Sequence, residues 1–219
     1  MKKKIKKNVT GGSATGGWID FQAASTAIVS VHILDGSTLG WLEGILDDVP
    51  VSVAAETGGS GDDISIQFND GSIAEAQVKK GLSATKRLWE PLISLAKAIH
   101  NKEIAYGLLV ICPESSGSIR SSLAKDIVRI GDGRTDDLKG ITKKFQTKLI
   151  DLSLPQQEIC QRLRIVVLHA LSIDTASVQG AKGRLNHLCL KKEDSGHAWD
   201  RLYRDATSLI EFRGKRNAL

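Results

Sequence analysis

The sequence predicts an α/β fold with a mixed central sheet, and three observations carry that prediction. "DDISIQFNDGSIAEAQVKKG" (residues 62–81) alternates apolar and polar residues on both sides of a turn, the period-2 pattern of a half-buried hairpin. "AYGLLVIC" (residues 105–112) is a continuous apolar run closed by Pro113, as suits a strand covered on both faces. Segments with apolar residues at helical spacing lie before, between and after these strands.

In chain order, residues 1–12 read as a basic flexible tail, because Met1-Lys2-Lys3-Lys4-Ile5-Lys6-Lys7 contains five lysines. The glycines from Gly11 to Gly17 read as an entry loop, and no G-K-[ST] follows to make a phosphate-cradling P-loop. Residues 18–34 are long and apolar and are expected to be helical, with Gln22 in the first turns. The valines of 49–55 predict a strand that ends at Glu56, and Gly58-Gly59-Ser60-Gly61 breaks the chain before the hairpin. Residues 83–101 carry Leu88, Leu92, Leu95, Ala96 and Ile99 at helical spacing, and Pro91 predicts a kink or a late start. Beyond the apolar run, helices are expected over 119–130, 135–149, 155–164, 175–190 and 196–212. "RIVVLHAL" from Arg164 stays open between helix and an additional strand, since its β-branched residues favour a strand. Ser153-Leu154-Pro155 is the expected boundary between an α/β core at 13–152 and a helical C-terminal extension at 153–219.

The hairpin register follows from its turn. Asn69-Asp70-Gly71 suits a three-residue loop whose last position is left-handed, which pairs Phe68 with Ser72. Ile64, Ile66 and Phe68 then share one apolar face with Ala74, Ala76 and Val78. Asp63 falls opposite Gln77 with Lys79 diagonal to it, Asp62 and Lys80 point to the other side, and Ile73 is left on the polar face. From the residues alone this polar face is either a solvated surface or a cluster with chemistry.

Composition narrows the function classes. The 219 residues suffice for a sizeable core, and the net charge of +5 is mild and concentrated in the tail, which suits either a solvated end or a nucleic-acid contact. Cys112, Cys160 and Cys189 are widely spaced and lack C-x-x-C, which fits a reduced, cytoplasmic setting without a zinc site. No apolar stretch is long enough for a transmembrane helix, so no membrane partner is expected. The five histidines show no H-x-x-x-H or H-E-x-x-H spacing, and no serine sits in a G-x-S-x-G elbow. Trp18, Trp41, Trp89 and Trp199 are dispersed and read as packing residues. Arg162-Leu163-Arg164 and the lysines from Lys139 to Lys148 form either a phosphate-contacting stripe or a solvated helix face.

The αβββαβ order, the acid that opens the second strand and the Gln77-Val78-Lys79 of the third resemble the PD-(D/E)XK nuclease superfamily in its Mrr-like Q-x-K form. The similarity is closest to the double-strand DNA endonuclease domain that stands at the N-terminus of bacterial anti-phage proteins. It rests on Gly16-Gly17, Phe21-Gln22, Glu56, Asp62-Asp63-Ile64 and Gln77-Val78-Lys79, and covers residues 11–112. The resemblance implies a restriction-endonuclease-like core and metal-dependent hydrolysis of double-stranded DNA. Mg2+, or Mn2+ in its place, would be held by Asp63, Glu56, Gln77 and Val78, since hard oxygen ligands suit it. Lys79 would offset charge developing at the phosphate, and Gln22 would hydrogen-bond the cluster. It further implies an effector activated by homo-oligomeric assembly or by a sensor domain. The alternative is the same fold without catalysis, binding nucleic acid or a protein partner.

Overall fold

The computed structural model describes residues 12–56, 63–212 and 215–217. Except for Gly12, the expected basic tail lies outside them, as do the break at 58–61 and Asp62.

The first six regular elements follow the expected order: α1 (Gly12–Asp35), β1 (Pro50–Ala55), β2 (Ile64–Phe68), β3 (Ile73–Lys79), α2 (Lys86–His100) and β4 (Tyr106–Ile111). A π-helical turn at Ser118–Leu123 leads into α3 (Ala124–Gly131), followed by α4 (Gly140–Asp151) and α5 (Gln156–Arg162). Then come β5 (Leu163–Val167), α6 (Ala176–Leu188), α7 (Asp194–Phe212) and β6 (Lys215–Asn217). The chain is therefore α/β, with one mixed six-stranded sheet in the order β5-β4-β3-β2-β1-β6. The pairs β3–β4 and β4–β5 are parallel, whereas β6–β1, β1–β2 and β2–β3 are antiparallel.

The hairpin turn and register are those expected from its residues. Phe68 N–H donates to the Ser72 carbonyl at 2.9 Å, and Ile66 pairs with Ala74 and Ile64 with Ala76. Gly71 adopts φ +85, a conformation that costs a residue with a Cβ about 1–2 kcal/mol. Ile64, Ile66, Phe68, Ala74, Ala76 and Val78 are all buried, and Ile73 is exposed on the opposite face. The same alternation splits β4: Leu108 and Val110 join the core under α1, α6 and α7, while Leu109 and Ile111 join the core under α2, α3, α4 and α5. A strand buried on both faces reads as an unbroken apolar run because each side chain faces a packed layer. The close approach on the second face needs Gly107, where an added Cβ would stand 3.1 Å from atoms of Leu95, Ile99 and Leu163.

Two expectations are corrected and one open reading is settled. The glycine-rich entry is helical from Gly12, since glycine weakens a helix by about 1 kcal/mol per residue without forbidding it. The first four residues of "RIVVLHAL", Arg164 to Val167, belong to strand β5, whose β-branched residues pair in parallel with β4. The residues after 152 are not purely helical, because they supply both edge strands of the sheet, so the boundary at 153 falls between elements of one shared sheet. The helix around Pro91 shows the late start: it begins at Lys86, with Pro91 in its second turn.

Candidate phosphate and cation site

The parallel strands β3, β4 and β5 finish at one end of the sheet, where β1 also finishes and β2 begins. Pairing Ile64 with Ala76 brings Asp63, just before β2, beside Gln77, Val78 and Lys79. Asp63 is buried, and its Oδ2 accepts from the Val78 backbone N–H at 2.6 Å and from Lys79 Nζ at 2.7 Å. The Lys79 side chain remains about a quarter exposed (24%), against 4% for Asp63. Removing a carboxylate from water costs several kcal/mol, so a paired cation and an N–H donor on one oxygen are what make the burial tolerable.

The first helix and first strand complete the cluster. Gln22, fully buried on α1, donates its Nε2 to Glu56 Oε1 and to the Asp63 backbone carbonyl, each at 2.9 Å. These two acceptors fix the amide's orientation and leave Gln22 Oε1 buried without a hydrogen-bond partner among the described residues. Glu56, which directly follows β1, has φ +52 and donates its own N–H to the Asp63 carbonyl at 3.3 Å. The left-handed backbone costs a residue with a Cβ about 1–2 kcal/mol, and such strain is held only where surrounding contacts impose it.

Gln22, Glu56, Asp63, Gln77, Val78 and Lys79 therefore gather at one place, as expected. Their donor set is all oxygen: two carboxylates, an amide and a backbone carbonyl, which suits a hard divalent cation. Among the described residues no group of three or more His, Cys, Asp or Glu could hold a metal, so any cation here would rely on the amide and carbonyl as well as the acids. The orphaned Gln22 Oε1 is a further acceptor beside them, able to orient a donor such as water.

In front of the cluster lies a cavity of about 650 Å³, lined by Gln77, Lys79, Lys80, Leu82, Arg87, Glu90, Pro91 and Ser94. It exists because the hairpin face away from α1 carries polar side chains that α2 does not cover. Two of its cations were missed in the sequence. Strand alternation puts Lys80 on the other face, but β3 ends at Lys79 and strict alternation ends with it, so Lys80 lines the same cavity. Arg87 lies on α2, and its reach toward the strand end depends on the α2 docking angle. Lys79, Lys80 and Arg87 outnumber Glu90 and the Asp63 that pairs with Lys79, so the concavity keeps a small excess of positive charge, which suits an anion.

Comparison with known proteins bears on the fold. No family model matches the chain, and no curated protein matches it significantly. Solved structures with the same fold include the Cap4 SAVED/CARF-domain containing receptor of Moraxella osloensis, with 14% identity and a TM-score of 0.55. It is covered over 45% of its length by 93% of this chain. The Acinetobacter baumannii Cap4 receptor with the cyclic trinucleotide 3'3'3'-cAAA matches at 11% identity and TM-score 0.57, over 91% of this chain and 44% of that one. With 2'3'3'-cAAA, that receptor matches at 12% and 0.58, over 92% and 42%. At these identities the likeness shows the fold, and the chain spans less than half the length of the receptors it matches.

This corrects the expected identity and function: in place of a double-strand DNA endonuclease effector, the likeness found is one of fold, to Cap4 SAVED/CARF-domain containing receptors, one of which has been solved with two different cyclic trinucleotides. The physical reason for the misreading is that an acid, an amide and a lysine at a strand end are chemically suited to many cations and phosphates. They do not encode which phosphodiester is presented. No helix among the described residues is long and apolar enough to cross a membrane.

Proposed function

We propose that this chain is one part of a bacterial receptor that responds to a cyclic oligonucleotide in antiviral defence, and that it contributes a site for a divalent cation and a phosphodiester. The observation that carries the site is the convergence of Lys79 Nζ and the Val78 N–H on buried Asp63 Oδ2, behind a cavity lined by Lys79, Lys80 and Arg87. The receptor reading is supported by the three structural neighbours. Within it, the αβββαβ order from α1 to β4 supports a restriction-endonuclease-like core for this part of the receptor.

Asp63, Glu56, the Gln77 amide and the Val78 carbonyl would hold Mg2+ or Mn2+. Such an ion, when bound, polarises water and offsets negative charge at phosphorus. The chain's own contributions are distinct. Gln22 anchors Glu56 and the Asp63 backbone, so the two carboxylates keep their spacing. Lys79 sets a fixed positive charge between Asp63 and the cavity, where it can pair with a phosphate oxygen. Lys80 and Arg87 extend that charge along the cavity wall, Arg87 with a fork that suits phosphate bidentately. As an enzyme, the site would be a hydrolase acting on phosphodiester bonds.

The test is calorimetric titration of the chain with Mn2+, and with cyclic triadenylate in the presence of Mn2+, for the parent and for Asp63→Asn. The proposal expects cation binding that falls at least tenfold in Asp63→Asn, and trinucleotide binding that falls with it. Analysis of the recovered trinucleotide then separates a hydrolase from a site that only binds. Cation binding unchanged by Asp63→Asn would overturn the reading.

A further inference from the structure

A second cavity, of about 790 Å³, lies on the other side of α2 and is lined by Lys86, Trp89, Glu90, Ile93, Ser94, Lys97, Lys148, Asp151 and Leu152. Glu90 and Ser94 line this cavity and the cation-rich one, so the two concavities adjoin across the helix. Helical spacing explains the division. Arg87, Pro91 and Ser94 follow one another at i, i+4 and i+7 along the flank facing Lys79, whereas Lys86, Trp89, Ile93 and Lys97 occupy the next flank. The remaining flank, Leu88, Leu92, Leu95 and Ile99, is buried in the core.

Trp89 is only partly buried against that core. Lys148 of α4 holds its Nζ 5.6 Å from the centroid of the Trp89 ring, and Lys86 and Lys97 stand in the same cavity wall with Asp151 and with Glu90, which pairs with Lys86 at 3.4 Å. An indole with lysines around it differs from an apolar docking groove. It offers a flat π face for a planar heterocycle and positive charge for the phosphate attached to one. The two cavities meet at Glu90 and Ser94, so the base and the phosphate of one nucleotide can be placed one in each.

We propose that Trp89 is a nucleobase-stacking subsite, and that the ligand of this surface is a nucleotide lying across α2 with its base on Trp89 and its phosphate against Lys80 and Arg87. The inference rests on the phosphodiester reading above and adds base recognition to it. The chemistry is shared by cyclic and linear oligoadenylates, and the experiment distinguishes them.

Affinities are measured for cyclic triadenylate, linear triadenylate and ribose 5-phosphate on the parent, Trp89→Ala, Trp89→Phe and Arg87→Ala, each checked by circular dichroism. Trp89→Ala is expected to weaken the base-bearing ligands on the order of tenfold and to leave ribose 5-phosphate unchanged. Trp89→Phe should recover most of the loss, and Arg87→Ala should weaken all three ligands. Tighter binding of the cyclic form identifies a signalling ligand and tighter binding of the linear form identifies a strand; both support stacking. Equal affinities in parent and Trp89→Ala, with Arg87→Ala weakened, overturn the stacking subsite and leave the phosphate reading in place. Absence of all binding to the parent overturns both.

Discussion

Two buried aspartates, Asp63 and Asp126, are held by similar donors and face different surroundings. Asp126 of α3 accepts from Arg129 Nη1 through Oδ1, and through Oδ2 from the Lys139 N–H and the Thr142 hydroxyl. It is sealed between α3 and the start of α4, a junction it fastens. Asp63 also takes a backbone N–H and a basic side chain, but both on Oδ2, and its lysine forms part of a cavity wall. The comparison teaches that burial and pairing of a carboxylate do not by themselves mark a site. What separates Asp63 is the orphaned amide oxygen of Gln22, the strained Glu56 beside it, and the anion-attracting concavity beyond.

The largest expected effect falls on the structural member of the pair. Asp126→Ala leaves the Lys139 N–H and the buried Thr142 hydroxyl without their shared acceptor, while Arg129 keeps Asp136, and should cost about 3 kcal/mol, the sum for two orphaned donors. For a chain of this size that lowers Tm by roughly 6–12 °C by differential scanning calorimetry, with cation affinity of the folded protein unchanged. A variant that melts with the parent would undo the contrast.

Next in size is Asp63→Asn, which keeps the side chain's shape and an oxygen for the Val78 N–H but removes the charge. Its cation affinity should fall at least tenfold, equivalent to about 1.4 kcal/mol, while its Tm stays closer to the parent's than that of Asp126→Ala. A smaller and opposite effect is expected from Glu56→Gly. Glycine accepts φ +52 freely, so relief of the left-handed backbone should raise stability by roughly 1 kcal/mol in chemical denaturation, less whatever the Gln22 hydrogen bond contributed. The same change should weaken the cation, so stability and binding would move in opposite directions.

The smallest effect near neutral pH is an acid limb that belongs to Asp126. Burial pushes its carboxyl upward, but hydrogen bonds from Thr142 and the Lys139 N–H and the adjacent Arg129 outweigh this and hold it below its ordinary value of 3.8. A carboxyl depressed in the fold contributes stability that is complete above its unfolded value and is lost as pH falls through the folded one. Urea midpoints measured from pH 6 downward should therefore fall more steeply below about 3.8 in the parent than in Asp126→Asn. Parallel curves would remove Asp126 from the account.

Most of the fold and the inner part of the site were legible in the sequence because both depend on local pattern. Period-2 alternation and the Asn69-Asp70-Gly71 turn set the hairpin register, and the register alone brings Asp63 to Gln77 and Lys79. β4 was legible as an unbroken apolar run, since burial on both faces leaves no polar position. The missed features depend on tertiary placement. Strand β5 was ambiguous because a short β-branched run fits two periods until a partner strand is known. Lys80, Arg87 and Trp89 could not be assigned to cavities without the packing of α2 on the sheet. The ligand class is not legible for a chemical reason: the same few side chains suit any phosphodiester.

The measurement that tests the central claim most directly is Mn2+ titration of the parent, Asp63→Asn and Asp126→Asn, with and without cyclic triadenylate. The account predicts binding to the parent that is strengthened by the trinucleotide, at least a tenfold loss in Asp63→Asn, and no loss in folded Asp126→Asn. Equal binding by Asp63→Asn and the parent, or loss of binding in Asp126→Asn alone, would contradict it.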